Sequence, residues 1–395
     1  MEDGLQRNAN SSAVTVDSEP WSNRISMMSH LSLISTPSRR TSGNSSLADI
    51  QDGDTTPAAL SLFVLETCNR QLRQYHLSAL DENTVDLNIG EGLDYSVDIS
   101  KTDGGGFVAV KHQKIFTEDQ SDGDARRRSP ECSRIWKALQ EIQIMMHPPI
   151  AECINVLSVE GFGWDYVGGK TTTPALVVEF AKYGTLRHYL TSEPKKSDSE
   201  KWEVLSGVIE GLSSLHRCGI VHGDVKMENI LVVGSDRVIP KIADFGSSII
   251  TTSEKEHYSY GGTDIYNPPE VRLGRGSISH LSLVYCDLWA FGLLSLEVAL
   301  GGHCYLDEEN AQCLNSPCME GLEASCLRRL NQAQFDDLTV KSKFRSVVET
   351  ALKREPVDRG TSQAMKTYFF GDLEDLDHIN TETYVFFQLP SILLI

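Results

Sequence analysis

His222-Gly223-Asp224-Val225-Lys226-Met227-Glu228-Asn229 is followed, fifteen residues after Asn229, by Asp244-Phe245-Gly246. Apolar pairs flank the first stretch, Ile220-Val221 before it and Ile230-Leu231 after it, so the polar residues between them belong to one tight loop. An Asp, a Lys two residues on and an Asn five residues on gather a base, a cation and a neutral oxygen ligand in that loop. Asp244, at a strand–turn, adds a second carboxylate. Oxygen ligands beside a lysine suit Mg²⁺ held against phosphates, because Mg²⁺ prefers hard donors and keeps substrate phosphates in its shell.

Further motifs lie on both sides. Ile89-Gly90-Glu91-Gly92-Leu93-Asp94-Tyr95-Ser96-Val97 is a glycine-rich stretch, and glycines there let a backbone approach a ligand without a Cβ clash. Val108-Ala109-Val110-Lys111 follows it. Glu141 stands thirty residues beyond Lys111 on a helical pattern over 135–146, with Glu131, just before that pattern, as its competitor. Downstream come Gly262-Thr263-Asp264-Ile265-Tyr266-Asn267-Pro268-Pro269-Glu270, then Asp287-Leu288-Trp289-Ala290-Phe291-Gly292, and finally Arg359. In this order and at these separations the motifs resemble those of the eukaryotic protein kinases, over residues 84–370.

The resemblance implies an α+β fold of two lobes, a small β-rich one and a large helical one. It implies ATP and Mg²⁺ as cofactors and Ser/Thr hydroxyls of protein substrates as acceptors. Asp224 would be the catalytic base and Lys226 would neutralise charge on the transferring phosphoryl. Asn229 and Asp244 would hold the metal. Ile89, Gly90, Gly92, Val97, Ala109, Lys111, Glu141, Val178, Glu179 and Ala181 would line the nucleotide site, with Lys111 on the α/β-phosphates and Glu141 positioning it. Lys226 and Thr263 are the features typical of Ser/Thr kinases. Two departures stand out. Tyr95 replaces the usual third glycine, and Gly223 replaces the arginine that commonly receives an activation-segment phosphate. A pseudokinase scaffold, with the fold but without phosphoryl transfer, is the alternative reading.

The rest of the chain sets the frame. Its 395 residues suit two to three domains of about 150, or one large domain with tails. With 36 basic and 55 acidic residues the net charge is −19, which argues against a nucleic-acid partner. Nine scattered cysteines and no signal-like start point to a reducing intracellular compartment, cytoplasmic or nuclear. Cys304, Cys313, Cys318 and Cys326 lack a C-x-x-C pair and read as loop and core thiols rather than zinc ligands. The apolar run over 281–300 carries Asp287 and Glu297, so it reads as a buried core helix and not a membrane span.

Residues 1–60 hold 17 Ser or Thr and one aromatic, Trp21, and are expected to be disordered. Leu62, Leu65, Leu72 and Tyr75 recur at helical spacing and predict an amphipathic helix and linker over 61–83. Strands are expected over 85–89, 95–99, 107–112, 155–162 and 175–180, and an exposed charged insertion with Arg126-Arg127-Arg128-Ser129 over 118–129. Helices are expected over 186–190, 200–217, 281–300 and 344–354. The expected lobes are 84–179 and 184–370, with a hinge over 179–183 and an acidic, then apolar tail over 371–395.

Overall fold

The computed structural model describes residues 72–75, 88–91, 95–102, 106–113, 130–167, 170–234, 237–251, 257–273, 277–316 and 319–371. Strands β1 (Arg73–Tyr75), β2 (Asn88–Glu91), β3 (Tyr95–Lys101), β4 (Phe107–Gln113), β5 (Val159–Val167) and β6 (Lys170–Glu179) form one sheet in the order β1-β5-β6-β4-β3-β2. Helix α1 (Pro130–Met146) and the short α2 (Pro148–Ala151) lie between β4 and β5 in the chain. The break between them falls at His147, where two prolines follow and none can supply an N–H to continue α1.

Alternation along β4 divides the sheet into two faces. Val108 and Val110 pack with Ala175 and Val177 of β6 as one small cluster. Ala109, Leu176 and Val178 point the other way, into the main core. Lys111, two residues after Ala109, therefore lies on the core-facing side, paired in register with Val97 of β3 and Leu176 of β6.

Beyond β6 the chain is mainly helical. It runs through α3 (Leu186–Thr191), α4 (Asp198–Arg217), β7 (Ile220–Val221), β8 (Ile230–Val233), β9 (Ile239–Ile242), β10 (Ile249–Ile250) and β11 (His257–Tyr258). Then come α5 (Pro269–Arg272), β12 (Ile278–Ser279), α6 (Leu283–Ala299), α7 (Glu308–Asn315), α8 (Leu322–Gln332), α9 (Leu338–Ala351) and α10 (Ser362–Phe370). The short strands pair antiparallel as β7–β10, β8–β9 and β11–β12. A sheet followed by a helical region is the α+β architecture expected from the sequence.

Helix α6 is the centre of that region, buried on every side. Its two acids survive burial because each is fully engaged. Asp287 accepts from the His222 and Gly223 backbones, and Glu297 accepts from Arg187, Tyr266 and the Tyr305 backbone. Gly292 lets α9 approach: a Cβ there would meet the Ala351 Cβ at 2.6 Å. Among the described residues no helix is long and apolar enough to cross a membrane.

Several boundaries differ from the sequence reading. Arg73–Tyr75, expected inside an amphipathic helix, is a strand paired parallel with Gly161–Gly163 of β5. The edge of β5 offers free backbone groups to be paired, and a helical spacing of four apolar residues does not compete with that. Helix α4 starts at Asp198 because Ser197 and Glu200 form a reciprocal capping box, and α9 starts at Leu338 because Asp337 caps it. Helices α7, α8 and α10 were not anticipated. The Ser/Thr-rich segment over 1–60, the charged insertion over 118–129 and the tail over 372–395 lie outside the described residues.

Candidate active site

The loop after β7 is pinned before it does any chemistry. Asp287 of α6 accepts the His222 N–H at 2.7 Å and the Gly223 N–H at 3.0 Å. His222 Nε2 lies 3.1 Å from the Ala243 carbonyl, so that nitrogen carries the proton and donates it. Nδ1 is then bare, and it accepts the Asp224 backbone N–H at 3.2 Å. The same ring packs edge-on against the buried Phe245, at 5.5 Å between centroids. One histidine thus joins the loop carrying Asp224 to the strand end carrying Asp244.

Asp224 sits in a dense set of donors. Lys226 Nζ donates to its Oδ2 at 2.6 Å, and Thr263 Oγ1 donates to its Oδ1 at 2.7 Å. Lys226 also reaches Thr263 Oγ1 at 2.9 Å. Asn229 Nδ2 donates to the Asp224 carbonyl at 2.8 Å and to Oδ2 at 3.0 Å, which orients its own Oδ1 away from Asp224. Burial pushes the Asp224 carboxyl up, but the Lys226 and Thr263 hydrogen bonds outweigh it and hold the group below its ordinary value. It is a carboxylate at neutral pH, fixed in position.

Across the cleft, Lys111 Nζ donates to both Glu141 oxygens at 2.8 Å and lies 3.4 Å from Asp244 Oδ1. Burial pulls this lysine's pKa down, but Glu141 and Asp244 outweigh it and raise the value, so it stays an ammonium. Asp244 adopts a left-handed backbone, φ 64°, which Asp tolerates better than most residues. Helix α1 is held close by Gln140, whose amide donates to the Ser248 carbonyl. Glu131 also lies on α1, but Glu141 is the residue paired with Lys111.

The remaining candidate residues divide. Ile89 and Gly90 lie in β2, where the pairing with β3 shifts register between Asn88 and Gly90. Gly92 lies outside the described residues. Val97, Ala109 and Val178 pack on the core-facing side of the sheet. Glu179 ends β6; its carboxylate is turned to Ser158 and to Lys241 Nζ at 2.7 Å, and its N–H donates to the Ser158 carbonyl at 3.2 Å, so its side chain is not available to a ligand. Ala181 follows in the connection to α3, its carbonyl accepting the Gly184 N–H at 3.0 Å.

Two participants escaped sequence reasoning. Asp287 anchors the loop, and the signal for it was an acid in an otherwise apolar helix, which demands partners. Tyr95, noted only as a departure from pattern, places its hydroxyl 3.2 Å from Asp244 Oδ2 and its ring 4.1 Å beneath the Lys111 ammonium.

A sequence profile of the protein kinase domain matches residues 84–370. The membrane-associated tyrosine- and threonine-specific cdc2-inhibitory kinase of Drosophila melanogaster is 27% identical over 186 residues, 47% of this chain and 31% of the relative. Aurora/IPL1-related protein kinase 2 of Caenorhabditis briggsae is 30% identical over 214 residues, 54% of this chain and 62% of the relative. Protein kinase gsk3 of Schizosaccharomyces pombe is 26% identical over 317 residues, 75% of this chain and 79% of the relative. The chain spans about a third of the first of these and less than two thirds of the second. Since the profile runs over every residue that builds the cleft, from β2 to α10, this chain belongs to the protein kinase domain family.

Proposed function

We propose that the chain is an ATP-dependent protein kinase that phosphorylates Ser or Thr hydroxyls of protein substrates. The observation that carries this reading is the Asp224 carboxylate, held ionised and oriented by Lys226, Thr263 and Asn229 across from the Lys111–Glu141 pair. An acceptor hydroxyl beside Asp224 would attack the γ-phosphorus while the bond to the β–γ bridging oxygen breaks. Its proton passes to Asp224, and ADP leaves. Lys226 would offset charge on the transferring group, and Lys111, fixed by Glu141, would bind the α/β-phosphates. Most of the acceleration would come from positioning and charge neutralisation, since no covalent intermediate with the protein forms.

The oxygen donors fit Mg²⁺. Asp244 would contribute a carboxylate and Asn229 an amide oxygen turned away from Asp224, both hard ligands, and the Ala243 N–H donates to the Asn229 carbonyl at 2.9 Å, joining the two segments beside them. When bound there, Mg²⁺ supplies charge neutralisation to the phosphates. A Ser/Thr acceptor is supported by Lys226 and Thr263, which meet at Asp224. The proposed lobes are 84–179 and 184–370, joined by a hinge over 179–183.

Asp224→Asn tests the reading. Phosphoryl transfer to a generic protein substrate should fall at least about a hundredfold, the usual scale of a lost general base, while Mg·ADP affinity stays near that of the parent. Transfer at the parent rate would remove Asp224 from the chemistry. A second reading, a binding module without transfer, draws on the position of Tyr95 between Lys111 and Asp244. It expects nucleotide-independent partner binding and no turnover in the same assay.

A further inference from the structure

Every N–H of the Lys111 ammonium has a partner already. Two point to Glu141 at 2.8 Å and the third faces Asp244 Oδ1 at 3.4 Å. The face of the ammonium left over is covered by the Tyr95 ring, 4.1 Å from its centroid. On the opposite side the Tyr95 hydroxyl donates to Asp244 Oδ2 at 3.2 Å. The cation and the carboxylate that would flank the nucleotide phosphates are therefore in contact with each other, and a phenol bridges them.

The sheet fixes this arrangement. Tyr95 opens β3 opposite Gln113, and Val97, two residues on, pairs with Lys111. Tyr95 and Val97 share the core-facing side by alternation, so the phenol is directed at the cleft by the strand itself. A phenol is neutral at neutral pH, so the Tyr95 hydroxyl stands as a donor toward Asp244. Phosphates present acceptors only, so to reach Lys111 they have to displace Asp244 or the Tyr95 ring from it.

We propose that Tyr95 fills the phosphate space of the nucleotide cleft, that nucleotide binds only after the Tyr95 side chain is displaced, and that residue 95 thereby sets nucleotide affinity. The proposal rests on the nucleotide-site reading above. Observed affinity is the intrinsic affinity reduced by the fraction of molecules whose site is open, so removing the phenol raises it without adding a contact.

The test is calorimetric titration of the full chain with Mg·ADP, comparing the parent with Tyr95→Ala, Tyr95→Phe and Lys111→Met. Tyr95→Ala should bind about tenfold tighter or more, the scale of one charge-assisted hydrogen bond and one cation–ring contact released. Tyr95→Phe keeps the ring and loses the bond to Asp244, so it should fall between the two. It carries the test alone if Tyr95→Ala fails to fold. A structural role for Tyr95 predicts the opposite sign, weaker binding in both variants, and that result would overturn the proposal. Unchanged affinity in both variants, with parent binding that Lys111→Met abolishes, would also overturn it while leaving the nucleotide reading standing. No binding by any variant, Tyr95→Ala included, would sink both.

Discussion

At Gly223 the backbone lies at φ 81°, and a Cβ there would meet the Ser247 carbonyl oxygen at 2.3 Å. The position thus demands glycine in this chain, and restoring an arginine is not a neutral edit. Gly223→Arg should cost about 1–3 kcal/mol, the scale of a non-glycine residue forced into the left-handed region. Denaturant unfolding measures it; an unchanged midpoint would show that the Ser247 segment gives way. Asp287 supplies a pH test. Burial pushes its carboxyl up, but the hydrogen bonds from His216 and the Gly223 N–H outweigh it and hold the carboxyl below the usual carboxylate range in the folded chain. A group with a depressed folded value stabilises above its unfolded value and loses that contribution as pH falls through the folded one. Asp287→Asn should therefore cost about 2–4 kcal/mol at neutral pH, and the gap should close as pH drops below about 4. A gap constant from pH 7 to pH 3 would mean that the charge is not what holds the loop. At this scale the sequence was legible where chemistry fixes residue type and spacing, as from Asp224 to Asn229. It marked Tyr95 as a departure from the glycine-rich pattern but said nothing of its target, because Asp244 lies 149 residues away.

Between Asp244 and Glu270, the described residues 257–260 are held by apolar contacts. Tyr258 and Ile278 face each other across the β11–β12 pair and join Tyr260, Val221, Leu283 and Cys286 in a small buried cluster. Tyr260 also donates to Asp287 Oδ1 at 3.2 Å, and Thr263 to Asp224. Since Gly223 offers no cation and this cluster already holds the segment, phosphatase-treated protein should keep most of its transfer rate. Tyr258→Ala should instead lower that rate severalfold, by loosening the segment that carries Thr263; a cavity of that size costs roughly 3–5 kcal/mol in a packed cluster. A large loss on phosphatase treatment alone would assign the anchoring to a phosphate. Element boundaries were readable where they have local chemical causes, such as the prolines after Met146. Strand β1 was not, because its pairing partner is β5, far along the chain. Helix α8 begins just after Gly321, a left-handed residue with no side chain to announce a cap, and so left little in the sequence to find.

Over the whole molecule, one arginine joins distant parts of the helical region. Arg359 is fully buried and donates to both Glu270 oxygens, at 2.6 and 2.9 Å, and to the carbonyls of Tyr285, Lys353 and Arg354. It also lies over the Trp289 ring at 4.9 Å. The pair closes 89 residues of chain onto one point. Breaking it leaves Glu270 without its partner, and Arg359→Ala should cost about 3–5 kcal/mol. Arg359→Lys should recover little, because an ammonium lacks the planar fork that serves five acceptors and stacks on the indole. Full recovery by lysine would reduce the site to a simple charge pair. This arrangement was visible in the sequence only through its resemblance to a family pattern, since nothing local to Arg359 names Glu270.

The clamp on Glu179 has a mechanical meaning. Its carboxylate takes the Ser158 N–H at 2.7 Å, the Ser158 hydroxyl at 2.6 Å and Lys241 Nζ at 2.7 Å, while Leu157 N–H bonds Ile242 of β9. The last residue of the sheet is thus riveted to the first hairpin of the helical region. Sliding the end of β6 along the β8–β9 hairpin would break the Lys241–Glu179 pair and the Leu157–Ile242 hydrogen bond together, so strand end and hairpin are expected to travel as one piece.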